Sequence, residues 1–301
     1  MDNICHTLVG GALARTGFDK RTPLATATMM IGANFPDIDV IAVPLGTDIG
    51  VRRGITHGIP AHIVLPFVLT GIMLAWDRWV RRRKDPSLAP AVPKEILLLS
   101  AVSIATHPFL DWCNSYGMRW LMPMRNEWFY GDTLFIVDLW LWLTLFLGYF
   151  LAGRRRSTRP ARVAVALSAV YIALMMIGTL VVRSRLQPGA DRRELMVAPI
   201  ALNPFARQVV RADRDVYRLG RWSVGQGIKW HDTIPINRDD PAVAEALHNP
   251  EIQPFLHWSR FPFFIVNHHA DGRTSVEIAD ARYTDRYGGG WASRTVVLEP
   301  K

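Results

Sequence analysis

Long apolar runs in this chain are interrupted or flanked by short clusters of His and Asp, and that combination most restricts what it can fold into. The clusters are His6, Asn34-Phe35-Pro36-Asp37-Ile38-Asp39, Gly54-Ile55-Thr56-His57, His107-Pro108-Phe109-Leu110-Asp111 and Asp138. Ionisable groups are costly near hydrocarbon, so their presence there reads as functional. Half of the 301 residues are hydrophobic. Four segments, Ile59–Trp76, Ile96–Trp112, Thr133–Ala152 and Val163–Val182, approach the roughly 20 mostly apolar residues that cross a bilayer. Two shorter helical segments, Asn3–Ala14 and Pro23–Ala33, precede them. Gly10, Gly11, Ala12 and Ala14 allow close helix approach.

The expected fold is therefore a mainly α membrane protein, a bundle of four to six transmembrane helices with a C-terminal β-rich soluble domain. The division falls at 1–185 and 186–301. In the second part Phe263–His268, Ser275–Tyr283 and Arg294–Leu298 read as strands, Ala270-Asp271-Gly272 as a hairpin turn and Asp239–Asn249 as a short helix. Two cysteines are too few for a disulfide framework. Met1–Arg15 has acidic Asp2 and no long apolar core, unlike a cleavable signal peptide.

A net charge of +9 raises nucleic acid as a partner. Its distribution argues against that. Arg78, Arg81, Arg82, Arg83 and Lys84 follow one apolar run, and Arg154, Arg155, Arg156, Arg159 and Arg162 follow another. Short basic loops of this kind mark the cytoplasmic side of a membrane, and no DNA-binding pattern is present. With those loops inside, His6, Asp37, Asp39, His57, His107, Asp111 and Asp138 all come to the outer face. Charge and ligand chemistry thus agree on one site, outside the cytoplasm, with the C-terminal domain on the same side.

His107 and Asp111 lie four apart, on one helix face. Asp37-Ile38-Asp39 offers hard oxygens at a helix exit, with Asp37 a candidate metal ligand and general base. Asp39 and His62 are candidates for a supporting role or a further ligand, as are Asp132 and Asp138 at the start of the fifth helix. Arg52 and Arg53 beside His57 have the guanidinium geometry that pairs with phosphate. Against each stands a plainer reading: a capped helix for His107 and Asp138, a turn for Asp37, solvated charge for the arginines.

At these motifs the chain resembles the YdjM/YbcI family, described as inner-membrane-associated metal-dependent hydrolases. The resemblance covers about residues 1–180, and 199–204 is similar to the start of that family's C-terminal region. It implies a multi-pass protein of the bacterial inner membrane. More distantly, the ligand order is similar to the zinc-dependent phospholipase C and P1 nuclease superfamily. That likeness implies that Asp37, His57, His107 and Asp111 hold one zinc and that Asp111 bridges to a second ion which His6 contacts. The chain departs downstream, where no His occurs between His107 and His231. The resulting expectation is one or two divalent ions, preferably Zn²⁺, and metal-activated water cleaving a phosphoester, lipid-linked in one version. The alternative is a non-enzymatic membrane protein in which the metal is structural or the polar residues form an ion or proton path, with a C-terminal binding module.

Overall fold

The computed structural model describes residues 1–45, 52–187, 189 and 191–300. The chain divides into two compact units, residues 1–41 with 53–178, and residues 42–52 with 179–301.

The first unit is helical. α1 (Asn3–Ala14) starts where the Asp2 carboxylate accepts the backbone N–H groups of Ile4 and Cys5, satisfying two donors that a helix start leaves open. α2 (Ala25–Gly32) packs on it so closely that a Cβ at Gly10 would collide with the Met29 carbonyl. α3 (Ile59–Trp76) continues through a wider turn to Lys84, and α4 (Pro93–Trp112) packs along α3 and α2. α5 (Leu139–Arg155) and α6 (Arg159–Leu186) complete the set, α6 extending into the second unit. Leu110, Leu134, Leu141, Leu145 and Met175 form a buried core with the foot of α1.

The expected bundle of four to six membrane-crossing helices is not what forms. Among the described residues, two helices are long and apolar enough to cross a bilayer, Ile59–Lys84 and Arg159–Leu186. The reasons are local. α1 and α2 have 12 and 8 residues, about 18 and 12 Å at 1.5 Å per residue, against a hydrocarbon core of about 30 Å. α5 begins at Leu139, not at Thr133, because Asp138 caps it by accepting from Trp140 and Leu141 N–H, and its 17 residues reach about 25 Å. α4 is long enough but carries Lys94, Glu95 and Asp111, and buries Ser100, Ser103 and His107 against its neighbours. It is a core helix. Nor is the chain mainly α, being 48% helical with 20% strand in two antiparallel sheets.

The second unit holds those sheets. β1 (Leu195–Ile200), β2 (Asn203–Asp213), β3 (Val216–Ser223) and β4 (Gly227–Pro235) form a meander, with Val197 opposite Val209 and Val209 opposite Gly220. Short helices α7 (Pro241–Ala246) and α8 (Gln253–Trp258) follow. β5 (Pro262–His268), β6 (Thr274–Asp280) and β7 (Ser293–Leu298) make the second sheet, Phe264 opposite Ile278. Gly272 adopts φ 85° in the β5–β6 turn, a conformation that favours glycine. Met196, Val210, Tyr217, Ile234, Phe261 and Phe263 form the core. Asp280 is buried there, accepting from the Ser259 hydroxyl, the Arg260 N–H and the Arg282 guanidinium.

Candidate metal centre

Three short pieces of backbone bring the polar clusters together. α2 ends at Gly32, and the chain passes directly into a 3₁₀ segment (Phe35–Leu45) whose first turn carries Asp37, its N–H donating to the Asn34 carbonyl. His57 closes a single 3₁₀ turn (Ile55–His57) between Gly54 and Gly58. Gly58 is required there because a Cβ would strike the Met122 carbonyl. His107 and Asp111 come from consecutive turns of α4.

Asp37, His57, His107 and Asp111 are all buried, and one ligand atom from each lies within 4.8 Å of the others. His57 Nε2 is 3.1 Å from His107 Nε2, 3.5 Å from Asp37 Oδ1 and 3.5 Å from Asp111 Oδ2. His107 Nε2 is 3.8 Å from Asp37 Oδ1 and 3.4 Å from Asp111 Oδ2. A tetrahedron of ligands about 2.0–2.1 Å from a central ion has edges of about 3.3–3.4 Å. The cluster has the size and donor chemistry of such a site.

Tautomers sharpen the fit. His107 Nδ1 lies 2.7 Å from the Ala33 carbonyl, which can only accept, so the ring proton sits on Nδ1 and the Nε2 lone pair points into the cluster. His57 Nδ1 faces Thr56 Oγ1 at 3.0 Å and Asp39 Oδ2 at 3.6 Å, and its Nε2 faces the cluster. The two imidazole nitrogens, 3.1 Å apart with two carboxylate oxygens beside them, could share a cation or, with His57 protonated, a proton. Burial opposes charge on His57, but its hydrogen bonds with Asp111 and Asp37 outweigh burial and hold its pKa above the ordinary imidazole value. Burial likewise pushes the Asp37 carboxyl up, yet the His57 hydrogen bond and neighbouring His107 bring it below the carboxylate range. The group is built to hold positive charge, and a divalent ion meets that demand.

The other sequence candidates take distinct places. His6 Nε2 is 3.2 Å from Asp111 Oδ1, and its ring stacks on His107 at 3.9 Å between centroids, beside the four-residue group. Asp39 accepts the Arg53 N–H at 2.8 Å and lies 3.6 Å from His57 Nδ1, close enough to favour positive charge on that ring. His62 Nδ1 lies 2.8 Å from the Gly58 carbonyl one turn into α3. Asp138 is the cap of α5 and accepts from the Tyr171 hydroxyl at 3.0 Å. Asp132 is buried in the α4–α5 connection with φ 52°. Arg52 is half-buried and belongs to the second unit.

Arg53 is the instructive case. It is 5% exposed, and its fork lies on Asp111, Nη2 at 3.0 Å from Oδ1 and Nε at 2.9 Å from Oδ2. Nη1 donates to Asn114 Oδ1 and the Gly117 carbonyl, and the Tyr116 ring lies 4.6 Å below. The guanidinium is thus committed to one of the protein's own carboxylates and braces it. Asn114, Tyr116 and Gly117 form a cradle for it that their residue types alone do not announce. Their signal was contiguity with the His107–Asp111 motif.

The helical unit carries a buried two-His, two-Asp cluster that could hold a metal ion, and the chain has two apolar helices long enough to cross a bilayer among the described residues. The chain belongs to the YdjM inner membrane protein family, which matches residues 1–182. That family description and the two apolar helices fit an inner-membrane location. No curated protein and no solved structure matches the chain, and the expected similarity to phospholipase C is not shown.

Proposed function

We propose that this protein is a membrane-bound, metal-dependent hydrolase that cleaves a phosphoester. The observation that carries the reading is the buried convergence of Asp37, His57, His107 and Asp111 from three separate pieces of chain. Two imidazoles and two carboxylates suit Zn²⁺ among the common divalent ions. Such an ion, when bound, supplies a Lewis acid for a phosphoryl oxygen and a water of lowered pKa.

The chain's own residues do the rest. Ala33 fixes His107 as an Nε2 donor, Asp39 lies beside His57 Nδ1, and the Arg53 fork holds Asp111 in one rotamer. Asp37 sits in the first turn of the 3₁₀ segment after α2 and is the candidate to accept the proton of the attacking water at a carboxylate oxygen. One ion is the better-supported count, because Arg53 Nη2 already donates to the Asp111 oxygen that faces His6. The basic segments 78–84 and 154–162 lie at the opposite helix ends from the ligands, which supports an extracytoplasmic site.

One feature favours a second reading. Catalytic zinc usually keeps three protein ligands and an open position, whereas structural zinc has four. Four buried protein ligands fit a structural ion in a non-enzymatic membrane protein unless Asp37 leaves the ion during reaction. Asp37→Asn decides between them. If the purified variant keeps its metal and fold but loses hydrolysis of bis(p-nitrophenyl) phosphate by at least a hundredfold, the enzyme reading stands. Wild-type protein with bound metal and no hydrolysis across a panel of phosphomonoesters and phosphodiesters defeats it in favour of the structural one.

A further inference from the structure

Along Ile59–Lys84 the buried positions Leu65, Leu69, Met73 and Asp77 recur every fourth residue, while Phe67, Ile72, Trp76 and Trp79 are exposed. The apolar part, Ile59–Trp76, has 18 residues, about 27 Å at 1.5 Å per residue against a hydrocarbon core of about 30 Å. Basic residues begin just beyond it, at Arg78. An inner-membrane location, which the family and this helix fit, brings that end of the helix to the headgroup layer. Tryptophan favours the same layer.

There the helix widens. The Arg82 N–H donates to the Asp77 carbonyl five residues back, the closure of a π turn, a feature frequent at functional sites. Residues four and five apart then share a face. Arg78, Arg82 and Arg83, with Trp79 and Pro86, line one open pocket of about 530 Å³, and no acidic side chain is among its lining. The neighbouring carboxylates are engaged elsewhere. Asp77 is 2% exposed and accepts from Arg81 Nε at 2.6 Å, Arg82 Nε at 3.1 Å and the Ala91 N–H at 3.0 Å. Asp85 accepts from the Ser87 N–H and hydroxyl. Asp77 therefore fixes Arg82 through Nε. Arg78 and Arg83 are exposed and make no hydrogen bond or ion pair with the described residues.

Three guanidinium groups, an indole and no carboxylate select an anion, and guanidinium suits phosphate oxygens. The exposed apolar stripe that runs into the pocket selects an anion attached to hydrocarbon. A nucleic acid would meet the same arginines but would leave Phe67, Ile72 and Trp76 facing water. We propose that the pocket holds the phosphate headgroup of an anionic phospholipid, with its chains along Phe67, Ile72 and Trp76. This site lies outside the metal-ligand cluster and does not depend on the hydrolase reading.

The test uses the full chain purified in detergent and an equimolar mixture of phosphatidylglycerol and phosphatidylcholine with identical chains. Native mass spectrometry counts the lipids that each protein retains. Wild-type protein should retain phosphatidylglycerol over phosphatidylcholine at least fivefold. Arg78→Gln combined with Arg83→Gln, both at exposed positions, should lower that preference at least fivefold, since each basic group near an anionic surface is worth roughly fivefold in affinity. Trp79→Leu should lower it at least twofold, and repeats the test should the double variant fold poorly. Arg154→Gln combined with Arg155→Gln removes the same charge from the end of α5 and should leave the preference within twofold. Equal retention of the two lipids by wild-type protein, or an equal loss in the α5 control, overturns the proposal. So does loss of the preference on adding millimolar inorganic phosphate or a short single-stranded DNA, which would make this a site for free phosphate or nucleic acid.

Discussion

Replacing His107 by Ala should release the metal, and the structure sets both the size of the effect and its control. A four-ligand zinc site in a small peptide contributes about 10–16 kcal/mol at neutral pH. Shared among four ligands, one is worth about 2.5–4 kcal/mol, or about 10²–10³-fold in affinity. The same substitution frees the buried Ala33 carbonyl that His107 Nδ1 now satisfies, costing about 1–3 kcal/mol of stability. The two effects separate experimentally. Metal affinity is read by competition with a chelator followed by elemental analysis, and the stability cost by melting of metal-free protein. His6→Ala is the control. Its ring stacks on His107 and contacts Asp111 but lies outside the four-residue group, so its loss should cost less than tenfold in affinity. Unchanged metal stoichiometry and affinity in His107→Ala would refute the site. An equal loss in His6→Ala would refute the assignment of these four ligands.

Three further outcomes follow from the same geometry. Arg53→Met leaves buried Asp111 without its fork but still paired with the Met1 ammonium, and should destabilise metal-free protein by about 1–3 kcal/mol. The metal-loaded form should lose less, since the ion takes over the compensating charge; equal melting shifts in the two forms would count against this. Asp138→Ala removes the cap of α5 and should cost about 1 kcal/mol with metal content unaltered, whereas metal loss would return Asp138 to the site. In the second unit, burial pushes the Asp280 carboxyl up, but Arg282 and its hydrogen bonds outweigh burial and hold it below the usual range. A lowered folded pKa means that its contribution is complete above the unfolded value, about 3.9, and is lost as pH falls through the lower folded value. Acid melting followed by tryptophan signals should show this loss, and Asp280→Asn should flatten it.

The site was more legible than the fold. His107 and Asp111 declared themselves by a spacing of four, which a helix converts into one face. Asp37 and His57 could be placed near them only by assuming a membrane topology. The assumption of four to six spans was wrong for this chain, yet the ligands meet, because they lie at the ends of short helices that pack together whether or not each one crosses a bilayer. Apolar content misled for α4 and α5. A buried helix and a membrane helix have similar composition, and the difference lies in what covers them. In the second unit the β5–β7 strands were visible from alternation and a Gly turn. The β1–β4 meander was not, because its strands mix Arg with Val and Trp and their register is set across strands.

By itself the sequence determined the residue types of the centre, its helical pair and its family, since each depends on spacing or composition along one stretch of chain. Tertiary structure alone decided which of the apolar helices are long enough to cross a bilayer, that Arg53 clasps Asp111, that Ala33 selects the tautomer of His107 and that Asp138 is a cap. Those facts depend on which atoms from distant segments come within a few ångströms, and local spacing does not encode such distances.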